Sequence, residues 1–144
     1  ITAVHVNGLV GGGFLAIAVY LQDGAMLGGK NEILLRLLTA YLMGCGMRWV
    51  AGGDWNIAPG LLASSGFLGM VNGRIMATGQ TTCTGGFGSE LDYFVVSDSF
   101  AAQSSAARTL DKVATKPHWP VGFDIDGRTP REWNCGALYQ GLCP

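Results

Sequence analysis

Two near-continuous apolar runs, separated by a stretch of helical period, constrain this chain more than any other feature in it. Residues 14–20, Phe-Leu-Ala-Ile-Ala-Val-Tyr, lack the alternation of a half-exposed strand and read as a strand buried on both faces. Residues 49–54, Trp-Val-Ala-Gly-Gly-Asp, form a second strand-like run that ends abruptly in a carboxylate. Between them, residues 30–45 place Ile33, Leu34, Leu37, Leu38, Tyr41 and Leu42 at helical spacing, with Arg36 opposite and Gly44 and Gly46 positioned to stop the helix. Strand, helix and strand in that order predict an α/β layered fold in which helices cover a sheet. Sites on such folds sit in loops at strand ends, and Tyr20 and Asp54 both lie at such ends.

The end of the second run carries Asp54 and Asn56, two residues apart. Alternate side chains of an extended backbone share a face, so a strand continuing through Asn56 sends a metal-seeking carboxylate and a phosphate-seeking amide out together. Gly52 and Gly53 let the backbone turn or approach another segment closely, and Pro59-Gly60 ends the excursion. The alternative for the same residues is a strand end capped by an Asx turn. Trp55 points to the opposite face and reads as core.

Residues 1–7 alternate as a half-buried strand does, and Gly8 to Gly13 read as a hairpin turn. No Lys-Ser/Thr pair follows those glycines, which argues against a phosphate loop. Residues 61–68 predict a short helix broken at Gly69, residues 74–77 a short strand, and residues 81–84 are β-prone. Residues 91–97 form a strand with one carboxylate, Asp92, in an otherwise apolar run, and a buried carboxylate needs a partner to hold its charge. The segment 98–114 is small and polar, and with Lys116 it supplies a basic cluster of Arg108, Lys112 and Lys116. Trp119, Val121, Phe123 and Ile125 then alternate as one buried face. His118 begins that strand between Pro117 and Pro120, which fix its backbone and make it a candidate general base. No repeat or linker divides the chain, so residues 1–126 read as one domain or part of one, and residues 127–144 as an irregular tail.

Of the 144 residues 49% are apolar and only 13% charged, with 23 glycines, so surface charge is scarce for a self-contained domain and some of the surface reads as meant for burial. A net charge of -1 without a basic block argues against a strong free-standing nucleic-acid binder. No run reaches the length of a membrane span. Cys45, Cys83, Cys135 and Cys143 show neither a CxxC pair nor metal-type spacing. That predicts a reduced, intracellular setting, cytoplasmic or nuclear, with a Cys135–Cys143 disulfide as the alternative.

Taken in order, Gly53-Asp54-Trp55-Asn56, the 91–97 strand Leu-Asp-Tyr-Phe-Val-Val-Ser, and His118-Trp119-Pro120-Val121 resemble the motifs of the endonuclease/exonuclease/phosphatase superfamily, with Tyr20 a weaker fourth match. The resemblance implies part of a two-sheet α/β sandwich with helices covering the sheets and its N-terminal half missing. It implies Mg²⁺- or Mn²⁺-dependent hydrolysis of phosphate esters by water attack on phosphorus, with nucleic acid, a phosphoinositide or a phospholipid head group as substrate. Carried over by position, Asp54 orients or deprotonates the attacking water, Asn56 holds a phosphate oxygen, and His118 binds the phosphate and stabilises charge. Asp92 fixes the orientation of His118, and Tyr20 contacts the phosphate.

Two departures limit those expectations. The family's Asn and its principal metal-binding Glu would fall before residue 1, and Glu32 and Glu90 are placed wrongly to replace that Glu. The family's Ser-Asp-His reads Lys116-Pro117-His118 here. Asp23, where many members carry an asparagine, is a milder difference. Asp54 is therefore the one convincing metal ligand, and weak metal binding is expected. The apolar sheet face would be covered by the missing half or by a partner. The alternatives are a catalytically dead remnant serving as an interaction or structural domain, and an unrelated α/β domain whose Asp and His are structural.

Overall fold

The apolar runs become adjacent parallel strands, as the strand, helix, strand order requires. In the computed structural model, which describes residues 1–7, 12–110 and 116–126, β1 (Thr2–Val6) and β2 (Phe14–Tyr20) are followed by helix α1 (Gly29–Gly44) and β3 (Trp49–Asp54). Two short helices, α2 (Pro59–Ser64) and α3 (Phe67–Val71), lead to β4 (Gly73–Met76) and β5 (Asp92–Ser97). A further turn of helix, α4 (Asp98–Ala101), precedes β6 (Arg108–Thr109) and β7 (Val121–Gly122). The main sheet has the order β1-β2-β3-β5-β4, with β2 and β3 parallel and the other neighbours antiparallel; β6 and β7 pair separately.

One face of the sheet, built from Leu15, Ile17, Val19, Trp49, Ala51, Tyr93 and Val95, packs under α1 to α3 through Leu35, Leu38, Leu42, Leu62 and Phe67. On the other face Phe14, Val50 and Val96 pack against Phe100 of α4, with Phe94, Phe123 and Ile125 partly buried beside them. Fully burying one such side chain contributes roughly 1.5–3 kcal/mol. The fold is thus mixed α/β, with a five-stranded sheet, a two-stranded sheet and covering helices, as the sequence predicts.

Several local expectations are corrected. Helix α1 does not bury Ile33, Leu37 and Tyr41, which are exposed, but Asn31, Leu35, Leu38, Thr39 and Leu42. The two polar residues can be buried because they are satisfied. Thr39 donates to the Leu35 carbonyl at 2.8 Å, and the Asn31 side chain bonds both main-chain groups of Gln22 and the carbonyl of Met26. The helix break falls at Gly66, in a left-handed conformation at φ 82°, and Gly69 lies inside α3. Strand β1 is an edge strand with all but Val6 exposed rather than half-buried, and Ala18 and Tyr20 of β2 are exposed too. The strand expected from Trp119 onward shrinks to two residues, its alternating side chains half-buried, because Pro120 has no amide to extend the ladder.

Arg108 is committed to Asp124 by two hydrogen bonds of 2.9 and 3.2 Å, so it joins no cluster with the exposed Lys116. Lys112, Cys135, Cys143 and the 127–144 tail lie outside the described residues. Cys45 and Cys83 are free thiols. No helix among the described residues is long and apolar enough to cross a membrane.

Candidate active site

The paired glycines of β3 explain why a site can form at its end. Gly53 has φ 146°, and a Cβ there would run into the Val19 carbonyl oxygen; a Cβ on Gly52 would run into the Phe94 ring. Only glycine lets β2 and β5 close on β3 at this level. The register then sets Tyr20 beside Asp54 and Asp54 beside Asp92. Directly paired residues on neighbouring strands send their side chains to the same face, so these three form one row on the face opposite α1. Tyr20 and Asp54 therefore share an edge of the sheet, which the sequence did not establish.

His118 reaches the row from a separate segment. It forms a bridge with Cys83, and its flanking peptides are held on both sides. The Pro117 carbonyl accepts from the Thr84 amide at 2.8 Å and its hydroxyl at 3.0 Å, while the Trp119 amide donates to the Thr82 carbonyl at 2.6 Å. The ring Nδ1 lies 2.7 Å from Asp92 Oδ2. Ligating atoms of Asp54, Asp92 and His118 all fall within 4.8 Å of one another, and all three residues are half-buried. Asp92 thus has the partner a buried carboxylate needs.

The electrostatics follow from this arrangement. The hydrogen bond to Asp92 raises the His118 pKa above its ordinary 6.5, the charges of Asp92 and Asp54 adding to it while burial of the ring works the other way. Burial raises the Asp54 carboxyl above its ordinary range, with Asp92 reinforcing it and the Asn56 amide and His118 opposing. A carboxylate raised in this way is a better proton acceptor, and an imidazole biased toward its charged form suits an anionic ligand.

Asn56 does not continue the strand. It turns at φ 49°, its amide donates to Asp54 Oδ1 at 3.1 Å, and its side-chain Nδ2 donates to the Leu21 carbonyl at 2.8 Å. This is the Asx-turn alternative, with the side chain pinning the loop after β2. Trp55 is fully buried, stacks on Tyr93 at 5.4 Å and donates its indole N–H to the Tyr93 carbonyl at 3.0 Å. Tyr93, whose hydroxyl pKa burial pushes up, donates to the Ile57 carbonyl at 3.1 Å. Glu32 is exposed, 3.7 Å from Arg36, and Glu90 accepts from Thr78 and Gly79. Neither belongs to the Asp54 group. The residue that the sequence reading passed over is Thr82, recognised only as β-prone; its hydroxyl accepts from the Leu91 and Asp92 amides and its carbonyl from Trp119, contacts that no sequence pattern marks.

The donor set fits a hard cation incompletely. Mg²⁺ takes six ligands, predominantly oxygen, in a near-ideal octahedron. Asp54, Asp92 and His118 could each offer one ligand atom, but Asp92 and His118 are already bonded to each other. Asp54 is the residue best placed to ligate, and Pro117 brings no side-chain donor.

No family model and no curated protein matches the sequence. Solved structures do. Cytolethal distending toxin from Actinobacillus actinomycetemcomitans is 21% identical, with a TM-score of 0.59 over 78% of this chain and 49% of its own. The endonuclease domain of TRAS1, a telomere-specific non-LTR retrotransposon, is 17% identical, with a TM-score of 0.65 over 78% and 55%. The 3′ phosphatase NExo from Neisseria, bound to a product DNA hairpin, is 20% identical, with a TM-score of 0.67 over 86% and 63%. These likenesses define the fold as that of the endonuclease/exonuclease/phosphatase superfamily. The chain spans about half of the toxin and retrotransposon structures and somewhat more of the phosphatase.

Proposed function

We propose that this chain carries the Asp54, Asp92 and His118 part of a phosphoester hydrolase that directs water onto phosphorus. The observation that carries the proposal is the 2.7 Å Asp92–His118 contact on the same sheet face as Asp54. In-line displacement needs a positioned water, a cation to neutralise charge on the phosphoryl oxygens, and a fixed orientation of both. Asp54, raised in pKa by burial, accepts a proton from the water. His118 as imidazolium donates to a phosphoryl oxygen from its Nε2, while Asp92 holds Nδ1 and so sets ring orientation. Tyr20, exposed in the next strand of the row, contacts the phosphate from the side. Asn56 already gives one of its two side-chain N–H groups to Leu21; the second is the one it would offer a phosphate oxygen. Mg²⁺ or Mn²⁺, held in part by Asp54, would supply Lewis-acid polarisation of the phosphoryl group when bound. Nucleic acid is the favoured substrate class, in line with the DNA hairpin bound by the phosphatase neighbour.

A second reading is favoured by Pro117, which stands where the resemblance expects a carboxylate and whose carbonyl is given to Thr84. On that reading the chain is a catalytically dead remnant that keeps the architecture and serves as an interaction or structural domain. Hydrolysis of bis-p-nitrophenyl phosphate with Mg²⁺ or Mn²⁺ separates the two. The enzymatic reading expects turnover lowered at least about tenfold, or 1.4 kcal/mol of barrier, by Asp54→Ala and by His118→Ala. Turnover that neither substitution changes, or no turnover at all, leaves the second reading standing.

A further inference from the structure

One buried residue ties together every segment that supplies the Asp92–His118 pair. Thr82 is fully buried, and each of its polar groups with a defined contact reaches a different part of that region. Its hydroxyl oxygen accepts from the Leu91 and Asp92 amides, both at 2.9 Å, at the head of β5. Its carbonyl accepts from Trp119 at 2.6 Å, one residue beyond His118, and its amide donates to Ser89 at 3.0 Å, closing the hairpin between them. A hydroxyl oxygen has two lone pairs, and here the two amides occupy both. The side chain thus does what a neighbouring strand's carbonyls would do, at a point where β5 has no strand to pair with on that side above Met76.

We propose that Thr82 is a positioning residue for the Asp92–His118 pair, its side chain fixing the strand that carries the carboxylate and its main chain the segment that carries the imidazole. This rests on the reading of that pair given under the proposed function. Removing the hydroxyl leaves two amides at the head of β5 without an acceptor, and a buried donor does not stay unpaired. The backbone at Asp92 moves to find one. The separation between Oδ2 and Nδ1 then lengthens although neither residue has changed. Serine keeps the oxygen and preserves the geometry, whereas valine keeps the shape and loses it.

The test reads the ring tautomer of His118 in the intact chain by long-range ¹H–¹⁵N correlation, at a pH where the ring is neutral. A carboxylate bonded to Nδ1 holds the proton there, and a ring released from it redistributes the proton toward Nε2. Wild type and Thr82→Ser are expected to show the Nδ1–H tautomer, and Thr82→Val a shift to predominant Nε2–H with the amide spectrum otherwise dispersed. Retention of Nδ1–H in a folded Thr82→Val overturns the positioning role while leaving the pair intact. Its absence in wild type refutes the pair itself and with it the proposed function. A second measurement needs no variant. The Leu91 and Asp92 amides of wild type are expected to exchange with solvent as slowly as those in the middle of β5, and fast exchange at both overturns the role even if Thr82→Val does not fold.

Discussion

Replacing Gly53 by alanine tests the local geometry on which the site depends, because the new methyl group has no room and the wrong backbone. At φ 146° a non-glycine residue is strained by about 1–3 kcal/mol. The added Cβ also runs into the main chain of Val19, which cannot rotate away as a side-chain tip could. Forcing an extra carbon into packed structure costs a further ~1–3 kcal/mol. The two effects together predict a loss of about 3 kcal/mol or more, a large part of the ~5–15 kcal/mol that holds an ordinary domain folded. With a urea dependence of about 2 kcal/mol per molar, the unfolding midpoint should fall by roughly 1.5 M. Equilibrium urea unfolding followed by Trp fluorescence measures this directly. Gly60→Ala is the control, since nothing lies within 4 Å of its added Cβ and its φ is not positive; its stability should stay within about 0.5 kcal/mol of wild type, or roughly 0.25 M at the midpoint. A Gly53→Ala midpoint indistinguishable from that of Gly60→Ala refutes the close approach of β2 to β3.

The remaining predictions concern charge and core. His118 should titrate above 6.5 in wild type and return toward that value in Asp92→Asn, read by its ring resonances against pH. The sign follows from the raised value: the pair's contribution to stability is complete below the unfolded pKa and is lost as pH rises through the folded one. Equal titration in both proteins would sink the pairing. Phe100→Ala, at a fully buried position between α4 and the second sheet face, should cost ~3–5 kcal/mol in the same urea experiment, and a loss below about 1 kcal/mol would mean that this face has no core.

What could be read beforehand was whatever a central strand writes into its own residues. The runs at 14–20 and 91–97 are apolar because their strands lie inside the sheet, and the same burial made α/β layering and the core role of Trp55 legible. The buried face of α1 was not legible, because apolar residues ring the helix and the burial of Asn31 and Thr39 rests on hydrogen bonds that composition does not record. At the site, register set Asp54 beside Asp92, and the bridge to Cys83 brought His118 to them; the sequence records neither arrangement. Asn56 went another way because its side chain found a carbonyl 35 residues earlier. Arg108 was misread as part of a basic cluster for a similar reason, its partner Asp124 lying across a strand pair.

The row formed by Tyr20, Asp54 and Asp92 has a further consequence. Neighbouring strands stand roughly 4.8 Å apart, so the sheet acts as a ruler with one functional group at each of three consecutive marks. None of these spacings is set by a loop. The exposed turn at residues 85–87 could therefore lengthen, shorten or change composition while the marks stay where they are, and a lineage built on this sheet could explore new ligands at its rim without re-deriving the distances at its centre.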